Sequence, residues 1–328
     1  MGAYDVVGIG NAIVDVIARC DDAFLATNGL AKGAMTLIDA ERALSVYALM
    51  GPGTEMSGGS AANTVAGIAS LGGKAAYVGK VRDDELGKVF QHDIRAAGVS
   101  YKVPLAPEGA PTARCLILIT PDAQRTMNTF LGISNELGPE DIDANVIAKA
   151  KVTYLEGYLF DPPQAKDAFR KAARVARDAG RKVALTLSDA FCVDRHRDDF
   201  LDLLAGSVDI LFANEAEITA LYRGDDFDSA VRAVRGQCDL AILTRSEKGS
   251  VVVSGDATYE VKAERVDKVV DTTGAGDLYA AGFLYGLTNG YDMARAGRVG
   301  AIAAAEIISH VGARPAAKLD ALVRSRLG

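Results

Sequence analysis

Histidine and cysteine are scarce in this chain of 328 residues, which holds three of the first and four of the second. His92, His196 and His310 share no metal-ligand spacing, so each reads as a surface or capping residue. Cys20, Cys115, Cys192 and Cys238 are scattered with no C-x-x-C pair, which excludes a zinc knuckle and a disulfide framework and leaves reduced core thiols. Positive charge is in deficit as well: the net charge is −7 and the pI is near 5.1. Nucleic-acid backbones and anionic membranes require clustered positive charge, so neither is expected as a partner and a small ligand is. Long apolar runs are missing too. The most apolar late stretch, Val299 to Val311, is too short to span a bilayer and carries Glu306, with Arg295 and Arg298 just upstream. It reads as a buried alanine-rich helix. The first residues have no basic region ahead of an apolar run, and Val6 stands where a myristoylation signal requires Ser or Thr; the expected location is cytoplasmic.

What is present is an ordinary foldable composition, 49% hydrophobic and 24% charged. Short β-branched runs alternate with amphipathic helical patterns. Tyr4 to Ile9 and Lys74 to Val81 read as strands, with a helix from Ser60 to Leu71 between them and another from Asp84 to Ala97. Strands at Val152 to Leu155, Lys182 to Leu187 and Val208 to Phe212 alternate with helices at Pro163 to Ala179, Asp198 to Leu204 and Glu215 to Tyr222. This rhythm predicts an α/β protein with a mostly parallel sheet, whose ligands bind beyond the carboxyl ends of the strands. Two segments, about 14–39 and 101–130, break the rhythm and read as strands joined by turns without helices, including a hairpin through Pro121-Asp122-Ala123-Gln124. They are expected to pair into a small second sheet, a lid over the ligand cleft, interleaved with a single domain spanning residues 1–328.

The most informative stretch is Asp271-Thr272-Thr273-Gly274-Ala275-Gly276-Asp277, which runs into an apolar helical segment, Leu278 to Leu287. A glycine-rich turn opening a helix presents unpaired N–H groups at the positive end of the helix dipole, a seat for an anion. Asp277 sits in the first turn, so a carboxylate able to take a proton lies beside a seat suited to a transferring phosphoryl group. That pairing suggests a kinase.

Other stretches add to it. Gly8-Ile9-Gly10-Asn11-Ala12-Ile13 has no third glycine and no helix after it, which argues against a dinucleotide fingerprint. Asn11 and Asp15, just past the first strand, suit either a grip on neighbouring sugar hydroxyls or turn capping. Gly58 and Gly59 open a helix and allow close approach to a ligand, with Ser60 as a possible N-cap and Asn63 one turn in. Asn214 and Glu217 begin a helix at a strand end, where Glu217 suits an outer magnesium ligand. Thr244, Ser246 and Gly249 lie in a turn able to meet a nucleotide, and Arg125, at the base of the hairpin, is placed to swing onto a phosphate. Met35 and Leu37, at alternate strand positions, suit either a cover for a base or plain core.

Taken in order, these pieces resemble the ribokinase-like (PfkB) family of carbohydrate and nucleoside kinases from Gly8 to Pro315. The resemblance rests on the Gly58-Gly59 stretch through Gly72-Gly73 and on Asp271 to Asp277. It implies an α/β/α sandwich with a β-sheet lid, Asp277 as catalytic base, an anion hole from Gly274, Ala275 and Gly276, and a magnesium motif at Asn214 and Glu217. Within the family the likeness is greatest to the adenosine kinases, through Gly10 to Asp15, Gly58-Gly59-Ser60, Pro111 to Arg125 and Gly312 to Pro315. The resemblance therefore implies ATP-dependent phosphorylation of the adenosine 5′-hydroxyl, with Asn11, Asp15, Ser60 and Asn63 on the acceptor. Thr244, Ser246, Gly249 and Thr272 fall to ATP, and magnesium is the expected metal, with potassium possible at Asp271. The alternatives are a kinase for ribose, fructose or a keto-deoxy sugar acid, and a nucleoside-binding protein without turnover. Subunit number, monomer or homodimer, is left open.

Overall fold

The computed structural model of the protein describes residues 3–122 and 124–327. Ala123, in the expected hairpin turn, lies outside them. In chain order the elements begin with β1 Tyr4–Ile9, β2 Ile13–Arg19, α1 Asp22–Thr27, β3 Met35–Leu37, α2 Ala40–Leu49 and β4 Gly53–Gly58. Then come α3 Ser60–Ser70, β5 Ala75–Val78, α4 Glu85–Ala96, β6 Ser100–Tyr101, β7 Ala113–Ile119 and β8 Arg125–Phe130. The middle holds α5 Ala144–Ala148, β9 Ala150–Glu156, α6 Pro163–Asp178, β10 Lys182–Thr186, α7 Ala190–Gly206, β11 Ile210–Asn214 and α8 Glu215–Tyr222. The remainder is α9 Phe227–Val234, β12 Leu240–Thr244, β13 Ser250–Ser254, β14 Ala257–Val261, α10 Ala275–Thr288, α11 Met293–Ile307 and α12 Leu319–Leu327.

Nine strands form the main sheet in the order β14-β13-β12-β11-β10-β9-β1-β5-β6. It is parallel from β6 to β12, and β13 and β14 close one edge antiparallel. Central strands such as β9 are buried almost throughout, which is why they read as unbroken apolar runs. Helices cover the sheet to give the ribokinase-like α/β/α sandwich. In α6 the buried Ala165, Ala168, Phe169, Ala172, Ala173 and Ala176 recur three or four apart, and Pro163 opens the first turn. From β1 the chain runs outward through β5 and β6 on one side and through β9 to β12 on the other. The strand order therefore reverses between β1 and β9, and a crevice opens at their carboxyl ends.

The second sheet has the order β3-β8-β7-β2-β4. Alternation gives it two unlike faces. Val14, Val16, Leu116 and Leu118 join the main core with Leu25 of α1 and Val46 of α2. Cys115, Ile117 and Ile119 make a separate cluster with Ile13, Ile17 and Met127 on the other face.

Several expected boundaries are corrected. β4 belongs to the second sheet although it lies outside both expected segments, and Ser100–Tyr101 pairs with β5 in the main sheet. α1 forms inside the segment expected to lack helices: Asp21 caps it by accepting the Phe24 N–H at 2.7 Å, and six residues are too few to display a period. The helix expected at Asp198 to Leu204 extends over 190–206, with non-helical backbone at His196. No helix among the described residues is long and apolar enough to cross a membrane.

Candidate active site

The crevice between β1 and β9 is walled by the starts of α3 and α10. α3 opens at Gly59, whose φ of +96° and position against the Asn11 carbonyl (a Cβ would come within 2.2 Å of that oxygen) require glycine. This N-cap has no side chain to offer, and Ser60, the expected cap, does not supply one. Glu156, at the end of β9, does so from outside the helix: its Oε2 accepts the Ala61 N–H at 2.7 Å. Its Oε1 accepts the Asn11 N–H at 3.1 Å and the Asn11 Nδ2 at 2.9 Å. Burial outweighs these three donors and pushes the Glu156 carboxyl up to about 7. Ser134 Oγ donates to Asn11 Oδ1 at 2.9 Å, so each end of the Asn11 amide has a protein partner. These bonds orient the Asn11 amide and use one of its two Nδ2 hydrogens.

Asp15 differs. Among the described residues its carboxylate accepts no hydrogen bond, and it lies over Gly58, where a Cβ would come within 2.5 Å of it. Burial pushes it up to about 6, opposed by the charges of Arg314 and Arg125.

α3 and α10 pack closely because Gly67 leaves room for Leu278 and Ala281. That crossing brings the first turns together. Ser60 Oγ donates to Asp277 Oδ1 at 2.6 Å and Asn63 Nδ2 to Oδ2 at 2.9 Å. Burial raises the Asp277 carboxyl above the usual carboxylate range, and the Ser60 and Asn63 donors hold it down. Asn63 Oδ1 is buried and, among the described residues, has no hydrogen-bond partner. Gly274 caps α10 at φ +77°. The Ala275 N–H donates to the Thr272 carbonyl at 3.2 Å, so the donors left for an anion at this helix start are those of Gly274, Gly276 and Asp277.

Arg125, the first residue of β8, reaches from the second sheet to Asp271 Oδ2 and Thr273 Oγ1. The Asp271 carboxylate also accepts the Thr273 N–H and the Gly312 N–H, each at 3.0 Å. With these donors and Arg125 around it, Asp271 does not fit the expected potassium ligand.

On the nucleotide side, Asn214 is the register partner of Thr244, and Thr244 that of Ser250. The turn between β12 and β13 is tight, with Ser246 at φ +51° and Gly249 at φ +86°. Ser250 Oγ and Tyr279 Oη lie 2.5 Å apart, which ties this turn to α10. Asn214 and Glu217 form a reciprocal capping box. Burial, together with the like charges of Asp189 and Asp277, pushes Glu217 up to about 7. Such a carboxyl suits a nearby cation. Among the described residues no three His, Cys, Asp or Glu side chains converge on a metal-sized point.

The structure brings Asp277, Ser60 and Asn63 together, sets Asp15 against Gly58, and joins Arg125 to Asp271 and Thr273. Met35 and Leu37 pair with Met127 and Thr129, on the same face as Asp15, and remain 48% and 54% exposed. Sequence reasoning missed Glu156 and Arg314. For Glu156 the signal was a carboxylate directly after the run Val152-Thr153-Tyr154-Leu155 in a buried strand.

An α/β sandwich with an acid beside an open helix start at its strand switch point defines a phosphoryl-transfer enzyme. The chain belongs to the pfkB family of carbohydrate kinases, whose pattern it matches over residues 35–319. It is similar to the crystal structure of adenosine kinase from Sinorhizobium meliloti, at 55% identity and TM-score 0.92, over 98% of this chain and 99% of that one. A probable sugar kinase from Rhizobium etli CFN 42 is 52% identical at TM-score 0.92, over 99% of both chains. An ATP-dependent ribose-1-phosphate kinase from Halopiger xanaduensis is 33% identical over 82% of this chain and 86% of that protein. The protein is a phosphotransferase with an alcohol group as acceptor, and its family implies ATP as donor and a small nucleoside or sugar as substrate.

Proposed function

We propose that the protein phosphorylates the 5′-hydroxyl of adenosine, giving AMP. The observation that carries this reading is the site-facing side of the second sheet. Ile13, Ile17, Cys115 and Ile117 neighbour Asp15 there, and Met127, Met35 and Leu37 continue the same face across β8 and β3, a mostly apolar surface suited to a flat base, with one carboxylate for ribose hydroxyls. A free sugar offers no surface to such a face. The likeness to the Sinorhizobium meliloti adenosine kinase supports the same acceptor.

In this reading the second sheet is a lid. Asp15 and the unpartnered Asn63 Oδ1 take ribose hydroxyls, which turns the primary hydroxyl toward Asp277. Asp277 takes its proton as the oxygen bonds to the γ-phosphorus and the bond from that phosphorus to the departing ADP oxygen breaks. The Gly276 and Asp277 N–H groups and Arg125 stabilise the charge on the phosphoryl oxygens. Glu217 would hold magnesium, and the bound ion would supply charge that neutralises the phosphates.

The similarity to a probable sugar kinase and to a ribose-1-phosphate kinase favours a second reading, a sugar or sugar-phosphate acceptor. A panel of adenosine, ribose, ribose 1-phosphate, fructose and a keto-deoxy gluconate with ATP and magnesium separates the two. Adenosine is expected to exceed every other acceptor in kcat/KM by about tenfold or more. A sugar at the top of the panel would replace the first reading by the second.

A further inference from the structure

Arg314 stands behind the acceptor half of the site, in the turn that follows α11. Its Nη1 donates to the Ala62 carbonyl in the first turn of α3, at 2.7 Å, and its Nη2 to Ser57 Oγ near the end of β4, at 2.9 Å. Ser57 in turn donates its N–H and its hydroxyl to Asp93 Oδ2 on α4, at 2.7 and 2.6 Å. Between Ser57 and Ala62 lies the Gly58-Gly59 joint, where the chain passes from the second sheet into α3. Two glycines give that joint no side chain of its own to fix it. The guanidinium fork spans it instead.

The charged and titratable groups acting on Arg314 come from four elements: Asp93 on α4, Asp15 on β2, Asp277 on α10 and Tyr77 on β5. Arg125 on β8 shares Asp15, and Glu156 on β9 adds a further negative charge near Asp277. Asp15 and Asp277 therefore stand as like charges in a partly buried site. Arg314 is the cation common to both, and its Nε is buried with no protein partner.

We propose that Arg314 is a positioning residue for phosphoryl transfer: its fork sets the β4–α3 joint, and its charge is the shared counter-ion of Asp15 and Asp277. The inference rests on the reading of Asp277 as base. Burial lifts both carboxyls above their ordinary range and Arg314 opposes that rise, so loss of its charge favours their protonated forms. An Asp277 base works only when ionised. The acidic limb of activity must then move to higher pH when the charge is removed.

The test is kcat/KM for adenosine against pH, with ATP and magnesium, for the unaltered protein, Arg314→Gln, Arg314→Lys and Asp277→Asn. Arg314→Gln is expected to shift the acidic limb upward by about one pH unit, which is about tenfold in rate below the limb. Arg314→Lys keeps the charge but not the planar fork, so its limb is expected to stay in place while KM for adenosine rises about fivefold. An unmoved limb in Arg314→Gln would overturn the proposal, as would an unaltered KM in Arg314→Lys, which decides alone if the Gln variant fails to fold. Near-normal turnover in Asp277→Asn would remove the base itself and this proposal with it. An inactive Asp277→Asn beside an unmoved Arg314→Gln limb removes only the proposal.

Discussion

As the base proposed here, Asp277 has two requirements that pull against each other: it must lie out of bulk water to meet the acceptor hydroxyl, and it must stay ionised to take a proton. Burial lifts its carboxyl, and the hydrogen bonds from Ser60 and Asn63 favour the charged form. The raised value sets the sign of the pH dependence. Activity is expected to fall as pH drops through it, at a higher pH than an ordinary aspartate would give. Asp277→Asn keeps the shape and removes the base, with an expected loss of about 10²-fold or more in turnover and little change in ATP affinity. Steady-state rates beside a nucleotide titration check this, and equal turnover would end the assignment. Asp277 was legible in the sequence because its evidence is local, seven residues of one turn. Glu156 and Arg314 were not, since their partners Ala61 and Ala62 lie 95 and 252 positions away.

At the scale of elements, the site is two helix starts held side by side. α3 depends on Gly59 for its entry angle and on Glu156 for its cap, and α10 lies close enough because Gly67 yields to Leu278. Gly59→Ala would put a Cβ into the Asn11 carbonyl at a positive φ, and the expected cost is about 2–4 kcal/mol of stability. Thermal unfolding checks it, and a melting temperature equal to the parent's would refute this account of the joint. Both helices were legible, since each follows a glycine pair with a long apolar pattern. The short helix α1 over the second sheet was not, since it is only six residues long. The partners of Asn11 were hidden for a related reason. Its position after a strand was visible, but whether its amide faced ligand or protein depended on Glu156 and Ser134.

For the whole molecule, the decisive contact is Arg125 with Asp271 and Thr273, which joins the second sheet to the start of α10. The second sheet packs α1 and α2 on one face, so it holds together without that contact. Arg125→Gln should therefore free the sheet to move without unfolding it: amide exchange in β7 and β8 is expected to quicken about fivefold while the melting temperature shifts by less than about 2 °C. Exchange at the parent rate would mean that the arginine does not fasten the two parts.

The order of strands and helices, the glycine-rich turn and the acid that follows it were written in the sequence, because each arises from neighbours within one strand or helix turn. Which groups meet across the crevice was decided by the tertiary structure alone. Chain reversal between β1 and β9, the α3–α10 crossing and the fold of the second sheet bring Asp277 to Ser60 and Asn63, and Arg125 to Asp271. No short-range propensity encodes a distance between residues that far apart along the chain.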